Sequence, residues 1–312
     1  MNNMATGSAG GSFKSTGTLV EHASTNATGV MLQKQTGAPR FDPLVLLKSG
    51  IGAPLFIVHG VGGVVTELFQ IGKLIRSQRP VFAIQARGLD GADAPFDSLA
   101  EMASCYADSI RDVQPRGPYM LAGYSFGGVV AFEMAHQLST TAEKVALLAL
   151  LDSYTHPRSW PLSCRIGVLR SRIAYRASLA AKVPIRQTVG YYLGRLGDIS
   201  RNRFRKHLRA LAPLGSGDEE LPEATQRVKD CCYAAWDRYR PRYYPGKITF
   251  LKAETNWRYP EDPRIIWRNL ADEFEMHTVP GEHSELVGPN AEHLANSISL
   301  CMERALEPNG SE

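Results

Sequence analysis

No apolar run in this chain reaches the roughly 20 residues that a bilayer-spanning helix needs, and its N-terminus lacks the charged-then-apolar layout of a secretory signal. Those two absences give no sign of a membrane span or of secretion. Cysteine is scarce as well. The five cysteines, Cys105, Cys164, Cys231, Cys232 and Cys301, form no C-x-x-C pair and no zinc-like spacing, which excludes a disulfide framework and a structural zinc site. An odd count with no framework reads as free thiols in a reducing cytoplasm, and none of them is placed as a nucleophile. Neither G-x-G-x-x-G nor a P-loop lysine accompanies the glycine-rich turns, so nothing points to a bound nucleotide or another cofactor. Acid is nearly missing from residues 156–210, where 13 Lys and Arg face the single acid Asp198. With a net charge of +4 for the whole chain, that excess of 12 leaves about −8 for the remainder, so a basic segment sits on an acidic body. Large apolar residues are almost absent from residues 1–40, which are rich in Gly, Ser, Thr, Asn and Ala. Such a stretch cannot bury enough surface to offset its ordering entropy, and we expect a disordered leader there.

Beyond the leader the chain has the texture of a folded domain, with 44% hydrophobic and 21% charged residues in the whole sequence. From Pro54 the order is strand, helix, strand, helix: "PLFIVHG", "TELFQIGKLIRSQ", "VFAIQARG" and "SLAEMASCYADSIRDV", the last opened by a capping-box pattern at Ser98 and Glu101. The strand "PYMLAGYS", the helix "GGVVAFEMAHQL" and the strand "KVALLALLD" continue it. Because the strands are continuous apolar runs, they predict an α/β fold, a mostly parallel sheet with helices on both faces. Helical spacing then dominates from Ser153 to Pro245, with breaks at Pro184 and in "APLGSGDEELP". Strand signals resume at "GKITFLKAE" and "EFEMHTVPG", and "NAEHLANSISLCMERAL" closes the chain as a helix. The expected layout is one domain over residues 43–308, with a helical insertion at about 155–240.

Within "GYSFGG", Ser125 follows a buried strand and opens a helix, the context in which G-x-S-x-G marks a nucleophile turn. Gly123 and Gly127 must lack side chains for so sharp a turn, and the helix N-terminus aims its free N–H groups at the same point. A serine hydroxyl needs a base to take its proton. Of eight histidines, His22 lies in the leader, His136 and His293 in helices, His156 and His207 in the basic segment, and His277 within a strand. His59 ends the first strand, ahead of the serine. His283, in "PGEHSELVG", is the candidate, since the order Ser, acid, His puts the base on a late loop. Two acids compete to orient it. Asp152 closes a buried apolar run and Glu254 ends "ITFLKAE"; Asp152 is preferred because a carboxylate in that position demands a partner. The N–H groups of Phe126 and of Val61 in "HGVGG" are the candidate oxyanion donors.

The segments "PLFIVHGVGG", "VFAIQARGLDG", "PYMLAGYSFGGVVAFEMAHQL", "YRPRYYPGKITFLKA" and "VPGEH", taken in order, resemble the type I thioesterase domains that end nonribosomal peptide and polyketide assembly lines. The resemblance runs from about Pro43 to Leu306. It implies the α/β-hydrolase fold with a mobile helical lid where the insertion falls, and it takes the triad acid from the strand after the nucleophile helix, as Asp152 requires. It also implies that Ser125 attacks an acyl thioester on the phosphopantetheine arm of an acyl or peptidyl carrier protein, with release to water or to a nucleophile of the acyl chain. The segment before the domain is too short to fold as a carrier, so the expectation is a free-standing enzyme acting in trans or on acyl-coenzyme A. An oxygen-ester hydrolase or acyltransferase would use the same residues.

The insertion is where the resemblance is weakest. "RIGVLRSRIAYRASLAAKV" sets Ile166, Leu169, Ile173 and Ala177 along one side, and the plainest expectation is a helix packing that side on the core with arginines in solvent. Docking of an acidic carrier or of coenzyme A phosphates is the functional expectation for the charge, with a membrane surface also open and nucleic acid least favoured.

Overall fold

The computed structural model describes residues 41–181 and 221–305. Residues 1–40, where a disordered leader is expected, and residues 182–220, within the expected helical insertion, lie outside the described residues. So do Pro184 and most of "APLGSGDEELP".

Seven strands form one sheet in the order β1-β3-β2-β4-β5-β6-β7: β1 (Leu44–Lys48), β2 (Leu55–Val58), β3 (Val81–Ile84), β4 (Tyr119–Tyr124), β5 (Val145–Leu151), β6 (Tyr244–Thr255) and β7 (Ala271–Glu282). All neighbours pair in parallel except β1 with β3. That antiparallel edge strand is absent from the expected layout, because "LVLLK" sits before the Gly-rich turn at Gly50–Gly52 and carries only one buried residue, Leu47.

The helices are α1 (Leu68–Leu74), α2 (Leu99–Val113), α3 (Phe126–Thr140), α4 (Leu162–Ala181), α5 (Glu223–Arg238), α6 (Arg264–Trp267) and α7 (Ala291–Arg304), numbered among the described residues. Ser98 caps α2 by accepting from the Glu101 N–H. Two separate cores explain why the strands are apolar at every position. Tyr119 and Leu121 of β4, with Leu148 and Leu150 of β5, face α2 and α3, whereas Met120 and Ala122 of β4, with Leu147 and Ala149 of β5, face α1 and α7. Side chains alternate across a strand, so burial on both faces demands an unbroken apolar run.

The chain leaves β2 toward β3, returns past it to β4 and then proceeds outward, so the connections after β2 and β4 diverge at the carboxyl ends of neighbouring strands. A crevice at such a reversal is where α/β sheets place their chemistry. Between β5 and β6 the described residues are helical: a short 3-10 turn (Pro157–Ser159), α4 and α5. The helix α5 buries Val228, Cys232 and Ala235 against the α2/α3 core.

One expectation is corrected here. The helix α4 does not pack through Ile166, Leu169 and Ile173, which are 50%, 58% and 60% exposed. Its inward face is Cys164 and Val168, continued by Arg172, which donates to the Arg258 carbonyl at 2.8 Å, and by Tyr175, whose ring stacks on Trp257 at 4.3 Å. Those positions are spaced by four, four and three, a true helical stripe. Periodicity found the more hydrophobic of two apolar stripes, and contact with the body selects the other. Among the described residues no helix is long and apolar enough to cross a membrane.

Candidate active site

The turn after β4 is built by contacts that a Cβ would forbid. A Cβ on Gly123 would collide with the Gly127 carbonyl, and one on Gly127 would strike the carbonyls of His59 and Val58. With those two glycines the chain reverses within a residue. Ser125 takes φ 55° and ψ −118°, a positive-φ conformation that non-glycine residues avoid and that costs of order 1–3 kcal/mol. Its N–H donates to the Leu151 carbonyl at 3.0 Å, which secures the turn to the end of β5.

His283 follows β7 directly; the strand continues through Pro280 and Gly281 to Glu282, further than the sequence pattern shows. Gly281 takes φ +99°, and the Glu282 and Glu285 side chains cap the 3-10 turn at His283–Glu285 reciprocally. The Tyr124 hydroxyl donates to the His283 carbonyl at 2.8 Å, and its ring stacks on the imidazole with centroids 5.0 Å apart. The late histidine is therefore held by the residue next to the serine.

Asp152 is 1% exposed, at φ 47°, just past β5. Its carboxylate accepts from four donors: His283 Nδ1 at 2.7 Å and Asn256 Nδ2 at 3.0 Å on Oδ2, the Ala253 N–H at 3.2 Å and the Tyr154 hydroxyl at 3.3 Å on Oδ1. Because Asp152 accepts at Nδ1, that nitrogen carries the imidazole proton and leaves Nε2 as acceptor for the Ser125 hydroxyl, 3.0 Å away. The three side chains brought together from positions 125, 152 and 283 thus form one hydrogen-bonded line. Glu254, the competing acid, is exposed near the end of β6.

Phe126 occupies the first position of α3, where an N–H has no intrahelical acceptor. Val61 lies in the turn closed by the Gly63 N–H on the Gly60 carbonyl at 3.0 Å. His59 is fully buried, with Nδ1 2.6 Å from the Gly60 carbonyl and Nε2 2.8 Å from the Tyr106 hydroxyl. The carbonyl can only accept, so Nδ1 donates; burial pushes the pKa down to about 4, which keeps the ring neutral at pH 7. His59 thereby fixes the Gly60 carbonyl that closes the Val61 turn. His277 instead pairs with Glu275 on β7. Burial raises the thiol pKa of Cys164, Cys231, Cys232 and Cys301, Cys232 to about 12, the reverse of what an activated nucleophile needs. Among the described residues no three His, Cys, Asp or Glu side chains are grouped to hold a metal ion.

Three contributors carry no sequence signal. Asn256, Tyr154 and Tyr259 meet at Asp152 and His283, with Tyr154 and Tyr259 stacked at 4.3 Å and Tyr259 5.8 Å from the imidazole. They come from loops after β5 and β6 that no motif marks. Trp257, between Asn256 and Tyr259, is the residue on which Tyr175 of α4 stacks, so the insertion touches the loop that holds the acid.

The profile of the thioesterase domain matches residues 53–300. The nonribosomal peptide synthetase apvA of Aspergillus terreus is 36% identical over 324 residues, covering 94% of this chain and 32% of that protein. Atromentin synthetase of Tapinella panuoides is 36% identical over 155 residues, 49% of this chain and 16% of that one. The chain thus spans a third or less of the length of these curated relatives. Among solved structures, the NocB thioesterase domain, in covalent complex with a fluorophosphonate nocardicin G analog, has a TM-score of 0.56 at 25% identity, covering 83% of this chain and 96% of that one.

Proposed function

The chain belongs to the thioesterase-domain family, and from that premise we propose that it is a serine thioesterase whose nucleophile is Ser125, general base His283 and orienting acid Asp152. The observation that carries this is the line of hydrogen bonds at 2.7 and 3.0 Å through one imidazole whose tautomer Asp152 dictates. In the first half-reaction the Ser125 hydroxyl adds to the thioester carbonyl as its proton passes to His283 Nε2. The imidazolium is stabilised by Asp152, and the Phe126 and Val61 N–H groups receive the oxyanion. Collapse expels the thiolate, which takes the proton from His283, leaving an ester on Ser125. Water, or a hydroxyl or amine of the acyl chain, then attacks with His283 again as base, and the serine leaves reprotonated. No metal or redox cofactor takes part.

The synthetase relatives support chain release as the outcome, and a thioester carried on a phosphopantetheine arm is the substrate we assign to it. We place the reaction in the cytoplasm and assign the acyl or peptidyl carrier protein as partner. Arg165 and Arg170, both exposed on α4 of the basic insertion, offer an acidic carrier a complementary charge. Residues 43–308 serve as the catalytic domain, the insertion within 155–240 as a lid over its acyl site.

Intact-mass spectrometry tests this. Incubation with acyl-phosphopantetheine thioesters adds one acyl group to the wild type, and none to Ser125→Ala. Faster turnover of an oxygen ester than of the matching thioester would overturn the substrate class, and an acyl group retained on Ser125→Ala would overturn the nucleophile.

A further inference from the structure

Glu67, the N-cap residue of α1, has no part in the mechanism above, and its side chain makes no cap hydrogen bond to the helix. A Cβ on Gly60 would stand 3.0 Å from Glu67 Oε1 and 3.4 Å from the Tyr124 ring, so the carboxyl lies over the first glycine of the Val61 turn, close to that ring. Tyr124 in turn stacks on His283 and donates to its carbonyl. Val65 and Leu68, which bracket Thr66 and Glu67 in the chain, are both buried. Asp152 is saturated by four donors, whereas among the described residues none donates to the half-buried Glu67 carboxyl.

We propose that Glu67 is a second acid of the site, a positioning residue whose charge beside the Tyr124–His283 stack favours the imidazolium and sets the pH range in which His283 serves as base. This rests on the serine thioesterase reading. The other groups facing His283 are accounted for. Asp152 is the orienting acid; Tyr124, Tyr154 and Tyr259 keep their protons, since burial raises the pKa of each. Arg258 is close enough to Tyr124 and Tyr259 for its charge to pull their pKa values down against burial, a contribution that Glu67→Gln leaves in place, and Glu282 and Glu285 cap their own turn. Burial raises the carboxyl pKa of Glu67 and the proximity of His283 pulls it back, so its charge responds to the same imidazole it influences. An unpaired carboxylate is an acceptor at neutral pH, and its negative charge raises the affinity of a neighbouring imidazole for a proton.

The test is a side-chain NMR titration of His283 in the full chain, wild type against Glu67→Gln, with pH–rate profiles of thioester hydrolysis beside it. The glutamine keeps shape and polarity and removes only the charge. The imidazole pKa falls by ~0.5–1 unit, and the acidic limb of kcat/KM moves down with it. Glu67→Asp, which keeps the charge, retains part of the wild-type position. An unmoved His283 titration in a folded Glu67→Gln, or one shifted equally in Glu67→Asp and Glu67→Gln, overturns the proposal. The titration needs no turnover, so a wild type that fails to hydrolyse thioesters defeats the functional reading and leaves this one to be decided by NMR alone.

Discussion

Replacing Asp152 by Asn separates charge and tautomer from shape. Asparagine tolerates the φ of 47° at this position almost as aspartate does, so the turn after β5 is kept. An amide has one acceptor oxygen where the carboxylate uses two. With that oxygen toward His283, the amide N–H₂ meets the Ala253 N–H, 3.2 Å from the present Oδ1, donor against donor. With the amide turned, N–H₂ faces Nδ1 at 2.7 Å and forces the imidazole proton onto Nε2, where the Ser125 hydroxyl needs an acceptor. Either way the imidazolium loses its counter-charge. A charge-assisted hydrogen bond is worth about 1.5–3 kcal/mol, and the wrong tautomer adds to its loss. We expect about 4–5 kcal/mol, a fall in kcat on the order of 10³–10⁴, with KM little changed. Thiol release from an acyl-phosphopantetheine measures it, with Glu254→Ala as control at wild-type rate. Asp152→Asn within tenfold of the wild type, or loss of turnover in Glu254→Ala, refutes the assignment of the acid.

The turn that carries Ser125 is also a folding constraint. Gly127→Ala sets a methyl against two backbone carbonyls and should cost about 3 kcal/mol, whereas Gly62→Ala, whose nearest neighbour would be Val64 Cγ2 at 3.9 Å, should unfold in urea like the wild type. Glu133, buried on α3, accepts from Arg242 at 2.7 Å, Tyr239 at 2.8 Å and Gln137 at 2.9 Å, tying the end of the insertion to α3. Glu133→Ala strands those donors and should lower stability by about 3 kcal/mol, read as a fall in Tm of roughly 10 °C by calorimetry. His59 gives stability an acid limit. Its folded pKa of about 4 lies below the ordinary 6.5, so the unfolded chain binds the extra proton. The contribution is complete above pH 6.5 and is lost as pH falls toward 4, about 2 kcal/mol of it by pH 5. Urea unfolding of wild type and His59→Gln at about pH 7.5 and pH 5 checks this: the stability gap between them should narrow at the lower pH, and a constant gap contradicts it.

The α/β class and the order of the core strands were legible because burial on both faces leaves a plain mark, an unbroken apolar run. The serine was legible because its turn excludes side chains at Gly123 and Gly127, a constraint written in adjacent letters. His283 and Asp152 could be singled out by place: one follows the last strand, the other closes a buried run that gives a carboxylate no other reason to exist. The edge strand β1 was missed, since one buried residue in five leaves almost no pattern. The packing face of α4 was misread because two apolar stripes share one helix, and nothing local says which meets the body.

By itself, then, the sequence determined the sheet, the turn that exposes Ser125 and the short list of groups able to serve it. Those properties depend on neighbours in the chain or on a repeating period, and both are local. Only the tertiary structure decided which acid reaches His283, that Asn256 and Tyr154 share that acid, and that Glu67 lies near the Tyr124 ring that the imidazole stacks on. Each is a meeting of loops remote in sequence, and such meetings are set by how strands align in the sheet, for which no stretch of chain carries a mark.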